Sequence, residues 1–345
     1  MIENDTAATQ NSSDHQHHQN GTSVDEMDCK NCSHKETGVR PRPIVKPGDI
    51  VQLSQDMEEI CIIGTVQGYG KVTKIEGLED LRNLKELTLR SCLIEKMENI
   101  GHLTKLEKIE LYDNQILSFS DMSPFINLKV LDISYNLIKS TGALESCVLL
   151  EELYVAQNRL RSIDGLKNLQ RLRKLDLGAN RIRSMEGVQF CLSLEELWLG
   201  KNKIEAITGL EDLSRLRRLD VQSNRLCNIQ GLTNAYNLEE LYISNNAIIK
   251  IEGLSSLAKL NIIDLSCNKI EKIEGLDSLQ NLTDLWIGTN QIPSFNEVIK
   301  LAPLAKLECL YLEHNPIYKD FEYRIRTAAL LPSLKQLDAT PIRRD

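Results

Sequence analysis

Five carboxylates and five aromatic rings stand at one fixed spacing in this chain, and they are its most reactive ordered array. Thr88, Glu110, Asp132, Tyr154, Asp176, Trp198, Asp220, Tyr242, Asp264 and Trp286 follow one another every 22 residues, and Tyr311 follows after a slip of three. From Asp132 to Trp286 an acid and an aromatic alternate without a break, and the row holds both tryptophans of the protein. If each row residue sits on one strand of a sheet, neighbours are about 4.8 Å apart and successive acids roughly 10 Å apart. That separation suits neither two carboxyls sharing a proton nor a tight metal cage.

The remaining candidates for chemistry are sparse. Cys29-x-x-Cys32, with His34 after it and His15, His17 and His18 before it, has ligand-like residue types. A structural zinc site needs a second spaced pair and a small fold around it. Here the surroundings are polar, so the segment is read as an unstructured tail. No GxSxG, HExxH, GxxxxGK[ST] or strand-linked GxGxxG occurs. His102 falls in the return half of its unit, and His314, before the last ladder asparagine, is expected to be partly packed. Neither has a nucleophile or carboxylate in a motif beside it, so no enzyme activity, cofactor or bound metal is expected.

The row requires elements that repeat with it. In LEELYISNNAIIKIEGLSSLAK, Leu238 to Lys259, apolar residues recur at 238, 241, 243, 248, 251, 254 and 257. Leu241 and Ile243 alternate with Tyr242, which is strand period with two residues in and one out. Asparagine recurs at 114, 136, 158, 180, 202, 224, 246, 268 and 290, then at 315, and Cys92 replaces it in the first full unit. Its amide both donates and accepts, so it can satisfy backbone groups of adjacent turns inside the core. Glycine recurs at 165, 187, 209, 231, 253 and 275, each marking a turn. This is the leucine-rich repeat pattern. The expected fold is an α/β repeat solenoid, with a parallel β-sheet on the concave face and short helical or 3₁₀ turns on the convex face. One unit cannot bury its apolar edge alone; stacked neighbours share a core.

Length and composition set the limits. The chain has 345 residues and a net charge of −8, which disfavours general affinity for nucleic acid or acidic membranes. It lacks an apolar run long enough to span a bilayer and an amino-terminal signal segment. Its nine cysteines are mostly scattered through the repeats, as in a reduced intracellular chain. Residues 1–45 are polar and expected to be disordered, with Arg40, Pro41, Arg42, Pro43 and Pro47 as a stiff bridge. Residues 46–320 hold about eleven units, the first degenerate with Val66 at the row position. Residues 315–345 form a carboxyl-terminal cap, in which Phe321, Ile325, Ala328 and Ala329 share helical spacing and are expected to cover the open core. Pro332 stops that helix, and Leu334 and Leu337 return as an extended segment.

The row residues should face away from the core. Beside them run small residues from Ser134 to Gly288, which leave the rings open to a partner. Tyr and Trp are preferred interface anchors, and acids beside them favour a basic partner patch. The same acids would repel phosphate, which argues against RNA. The predicted partner-binding residues are Asp132, Tyr154, Asp176, Trp198, Asp220, Tyr242, Asp264, Asp284, Trp286 and Tyr311. Asp176 also has Lys174 and Arg218 on neighbouring positions as possible pairs.

NKIEKIEGLDSL and the terminal stretch YLEHNPIYKDFEYRIRTAALLPSLKQLDATPI resemble the leucine-rich regulatory subunit 7 family of type-1 protein phosphatase. The resemblance runs from about residue 60 to the end. It implies a nuclear and cytoplasmic protein that holds the phosphatase catalytic subunit on its concave face, with a second inhibitor in a ternary complex. Family contact positions fall on Asp132, Tyr154, Asp176, Trp198, Asp264, Asp284, Trp286 and Tyr311. Tyr154 and Trp198 stand where the family can carry phenylalanine, and Asp176 and Asp284 where it can carry glutamate. The alternative is an intracellular leucine-rich scaffold for a ribonucleoprotein or ciliary assembly.

Overall fold

In a computed structural model of the chain, residues 56–66 and 70–343 are described. The polar tail, the proline bridge and the Cys29/Cys32/His34 group lie outside them.

The units stack into one parallel sheet. Strand β1 (Glu59–Ile63) pairs with β4 (Glu86–Arg90), and β2 (Thr65–Val66) and β3 (Gly70–Lys71) form a separate antiparallel pair between them. There follow β5 (Lys108–Glu110), β6 (Val130–Asp132), β7 (Glu152–Tyr154), β8 (Lys174–Asp176) and β9 (Glu196–Trp198). Then come β10 (Arg218–Asp220), β11 (Glu240–Tyr242), β12 (Ile262–Asp264), β13 (Asp284–Trp286) and β14 (Cys309–Tyr311). The sheet ends in β15 (Gln336–Leu337) and the antiparallel β16 (Thr340–Pro341). Every neighbouring pair from β4 to β14 is in register at the row position, for example Asp132↔Tyr154 and Asp264↔Trp286.

Each three-residue strand buries its central side chain and leaves the flanking two half-buried; β12 alone also buries its row residue. Leu131, Leu153, Leu175, Leu197, Leu219 and Leu241 are all fully buried in a single continuous core. The convex returns are mostly turns. Short 3₁₀ segments occur at Gly142–Ser146 and Val188–Phe190, and a single α-turn (α1, Phe295–Val298) fills the three-residue slip before β14.

The asparagine ladder is a core structural device. Asn202 Oδ1 accepts the Ile182 amide at 3.0 Å, and its Nδ2 donates to the Leu177 carbonyl of the preceding turn and to Leu199 O in its own. The same pattern repeats at each ladder asparagine, so buried backbone groups between turns are satisfied. Cys92 substitutes weakly, its thiol donating to Arg90 O. The residue before each asparagine pays for the geometry. Tyr135, Ala179, Lys201 and Thr289 all have φ between 51° and 55°, the left-handed region that L-residues avoid.

Two expectations at the ends are corrected. Cys61, not Val66, lies opposite Thr88, because the β2–β3 pair lengthens the first unit. At the other end the helix forms as α2 (Tyr323–Leu330), but Phe321 and Ile325 are 94% and 75% exposed. The face that packs on the core is Tyr323 and Thr327, followed by Leu331. Tyr323 prevails because its hydroxyl reaches the buried Asp338 carboxylate, which also accepts the Leu312 amide and closes the ladder. His314 is exposed and sits against Tyr318.

Candidate functional site

The concave sheet brings all ten predicted residues onto one surface. Nine sit at the last position of consecutive strands from β6 to β14, and Asp284 sits two residues before Trp286 at the other end of β13. Most are half-buried, and Asp264 is 9% exposed.

The acids and the rings have different local tasks. Asp132, Asp176, Asp220 and Asp264 each turn Oδ1 back to accept the amide two residues on, at 2.8–2.9 Å, from Ser134, Gly178, Gln222 and Ser266. Each carboxylate so caps the end of its own strand. The anticipated pairing of Asp176 with Lys174 or Arg218 does not form. Lys174 meets Glu152, and Arg218 meets Glu240 and Glu196 instead.

Those pairs belong to an alternating line. Strands with an aromatic carry Glu152, Glu196 and Glu240 two residues earlier, while strands with an acid carry Lys174 and Arg218 there. Arg218 grips Glu240 with two parallel bonds of 2.8 and 2.9 Å. Arg173–Glu195 and Arg217–Glu239 repeat the arrangement one residue further out. Lys174, Arg173, Arg217 and Arg218 are therefore paired with glutamates and not with the row aspartates.

That charge is held under strain. Burial pushes the Asp176 carboxyl up to about 6; the Gly178 amide opposes the shift, and the Asp220 and Asp132 charges add to it. Burial raises Asp132 and Asp220 as well, opposed by the Ser134 and Gln222 amides. The phenols of Tyr154 and Tyr242 donate to Glu152 and Glu240 at 2.8 Å, and burial together with those bonds keeps both hydroxyls protonated.

The carboxyl-terminal third differs. After Glu240 the charged line gives way to Ile262, Asp284 and Cys309. Trp286 lies 6.2 Å from Tyr242 across the intervening strand and 6.1 Å from Tyr311, so three rings form one cluster. Tilted and edge-on ring contacts at such distances are favourable beyond their area. The Trp286 indole N–H is buried without an acceptor of good geometry; the Cys309 thiol beside it is pushed up to about 11 by burial and by Asp284. The sequence showed the periodic rings but not this convergence, which depends on how the side chains lean across the strands. The strand caps had a readable signal, an aspartate followed two residues later by a small residue in three of four cases.

Among the described residues no three or more His, Cys, Asp or Glu side chains converge as metal ligands, and no helix is long and apolar enough to cross a membrane. The geometry is that of a wide surface of carboxylates and rings spread along a sheet.

Comparison with known proteins agrees with that architecture. Family models described as leucine-rich repeat match residues 215–345, 161–226 and, as a two-copy form, 126–168. Dynein axonemal light chain 1 of Chlamydomonas reinhardtii is 45% identical over 56 residues, 14% of this chain and 28% of that protein. Protein phosphatase 1 regulatory subunit 7 of Mus musculus is 42% identical over 50 residues, 14% of each chain. The matched segments thus span a small fraction of these relatives. Among solved structures, a leucine-rich repeat protein of Leptospira interrogans aligns with a TM-score of 0.65 at 23% identity, covering 78% of this chain and 76% of that one. The functional domain of InlJ from Listeria monocytogenes aligns at 0.66 and 20% identity, covering 81% and 62%. At these identities the structural matches speak for the fold alone.

Proposed function

We propose that this chain, whose units match leucine-rich repeat models, is a non-enzymatic regulatory subunit that holds the catalytic subunit of a type-1 serine/threonine phosphatase on its concave face. The observation that carries this reading is the row itself. Half-buried rings at Tyr154, Trp198, Tyr242, Trp286 and Tyr311 alternate with aspartates whose neighbouring bases are already paired. Such a face offers aromatic anchors and uncompensated negative charge to a basic protein surface. The 50-residue similarity to regulatory subunit 7 supports the choice of partner.

The mechanism is steric and electrostatic. The aspartates orient a basic patch, the ring cluster around Trp286 supplies affinity, and the bound subunit is controlled in activity or maturation. A second inhibitor completes a ternary complex, and the assembly works in nucleus and cytoplasm. A second reading, a scaffold in a ciliary assembly, draws on the similarity to the axonemal dynein light chain.

Partner capture from cell extract separates the two. Wild type should enrich a phosphatase catalytic subunit, and Trp198→Ala/Trp286→Ala should lose it while melting as wild type does. Enrichment of axonemal dynein subunits without phosphatase would favour the second reading, and capture of phosphatase unaffected by the double change would overturn the concave-face mechanism.

A further inference from the structure

A second charged surface lies outside the concave face and has the opposite sign. Five residues past Tyr154, Asp176, Trp198 and Asp220 stand Arg159, Arg181, Lys203 and Arg225. Their amides donate in turn to Ile138, Leu160, Ile182 and Ile204 of the preceding units, all at 2.8 Å, so the four stack in one file along the edge where the chain leaves the sheet. Leu160 and Ile182 are fully buried, which turns the residues flanking them outwards as pairs, Arg159 with Arg161 and Arg181 with Arg183. Lys139 extends the file on the preceding turn, and it and these four arginines are all exposed.

The file is uncompensated at its centre. Among the described residues, Arg159, Arg161, Arg181 and Arg183 have no acid within ion-pair distance, whereas Arg225 has Glu205 at 3.9 Å. Asp164, the acid in the Arg159/Arg161 turn, is occupied with Ser140 and Thr141. Arg173, Arg217 and Arg218 near the sheet are each paired with a glutamate, whereas these four guanidiniums stand unpaired together in two adjacent turns. Their presence in a chain of net charge −8 makes the contrast local.

We propose that this rim is a second docking site, for an extended acidic polypeptide segment running along the solenoid axis. Paired guanidiniums on successive turns suit carboxylates, which they can bind bidentately. An extended chain presents alternate side chains about 6.6 Å apart, a spacing that flexible arginines on turns about 4.8 Å apart can follow. From Lys139 to Arg225 the file carries no aromatic ring on which a base could stack, which disfavours single-stranded RNA. Glu186 and Glu205 in the same turns would also face a broad anionic membrane. A narrow peptide avoids them.

The site is independent of the phosphatase assignment, and its test is too. A fluorescein-labelled short poly-glutamate peptide is titrated with the full chain at low ionic strength and read by anisotropy, beside an oligouridylate of equal length. The peptide should bind, weaken with salt, and lose at least about tenfold in affinity in Arg159→Gln/Arg161→Gln/Arg181→Gln/Arg183→Gln. The glutamine set keeps the exposed stems, so folding, checked by melting, is retained. Trp198→Ala/Trp286→Ala should leave peptide binding unchanged. No peptide binding at low ionic strength, equal binding by the glutamine variant, or tighter binding of oligouridylate would each overturn the proposal.

Discussion

The Asp176 carboxylate accepts the Gly178 amide at 2.8 Å and has no basic partner among the described side chains, although Lys174 and Arg218 sit on the same face. One oxygen therefore closes the end of a strand while the group's charge stays uncompensated. Burial and the like charges of Asp220 and Asp132 push its carboxyl to about 6. The residue trades fold stability for a charged surface.

Replacing that charge should stabilise the fold. A carboxyl whose folded value exceeds its unfolded value of about 3.9 binds protons more tightly when folded, so its contribution is most favourable at low pH and is lost as pH rises from about 4 through about 6. Asp176→Asn keeps an oxygen for the Gly178 amide and removes the charge. Urea unfolding should show the variant more stable than wild type by about 1–2 kcal/mol above pH 7, with the gap closing below about pH 4. A gap that is constant with pH would mean the charge carries no cost.

Breaking the ladder should cost more than any surface change. Asn202→Ala removes the acceptor of the Ile182 amide and leaves that buried N–H unpaired, while Leu177 O keeps the Asn180 side-chain amide as its donor. The expected loss is about 1–3 kcal/mol, the cost of one buried donor left without a partner. Replacing the exposed Arg217, whose ion pair is with Glu239, should leave the urea midpoint nearly unchanged in the same experiment.

The left-handed positions make a paired test of backbone strain. Thr289 is exposed and β-branched, yet has φ 53°, so Thr289→Gly should raise stability by about 0.5–1 kcal/mol. Gly231 has φ 85°, and a Cβ there would lie 2.1 Å from Ile207 O. Gly231→Ala should therefore destabilise by more than about 2 kcal/mol. Gly77→Ala, at φ 79° with open space, should cost about 1 kcal/mol. Thermal melts of the three variants check the order.

Much of this was legible in the 22-residue period. The period placed Asp132 through Tyr311 on one face and gave Asn202 and its counterparts a core task, because one residue type at one spacing has few geometric solutions. What the period could not carry was pairing between side chains. Arg218 stands two strands from Asp176 and in register with Glu196 and Glu240, so its guanidinium fork closes on Glu240 instead. Phe321 and Ile325 looked core-facing by apolar spacing alone, yet the Tyr323 hydroxyl, by reaching Asp338, rotated the helix the other way. The rim arginines were visible as R-x-R-S at 159–162 and 181–184, but their isolation from acids is a property of the stacked turns.

The most direct measurement is calorimetric titration of the chain with purified type-1 phosphatase catalytic subunit, comparing wild type with Trp286→Ala and with Phe321→Ala. Trp286 sits at the centre of the ring cluster, and Phe321 is the most exposed large apolar side chain on the cap. Wild type should bind, Trp286→Ala should lose about 2 kcal/mol or more, and Phe321→Ala should match wild type. Absence of binding by wild type, or a loss at Phe321 with none at Trp286, would contradict the account.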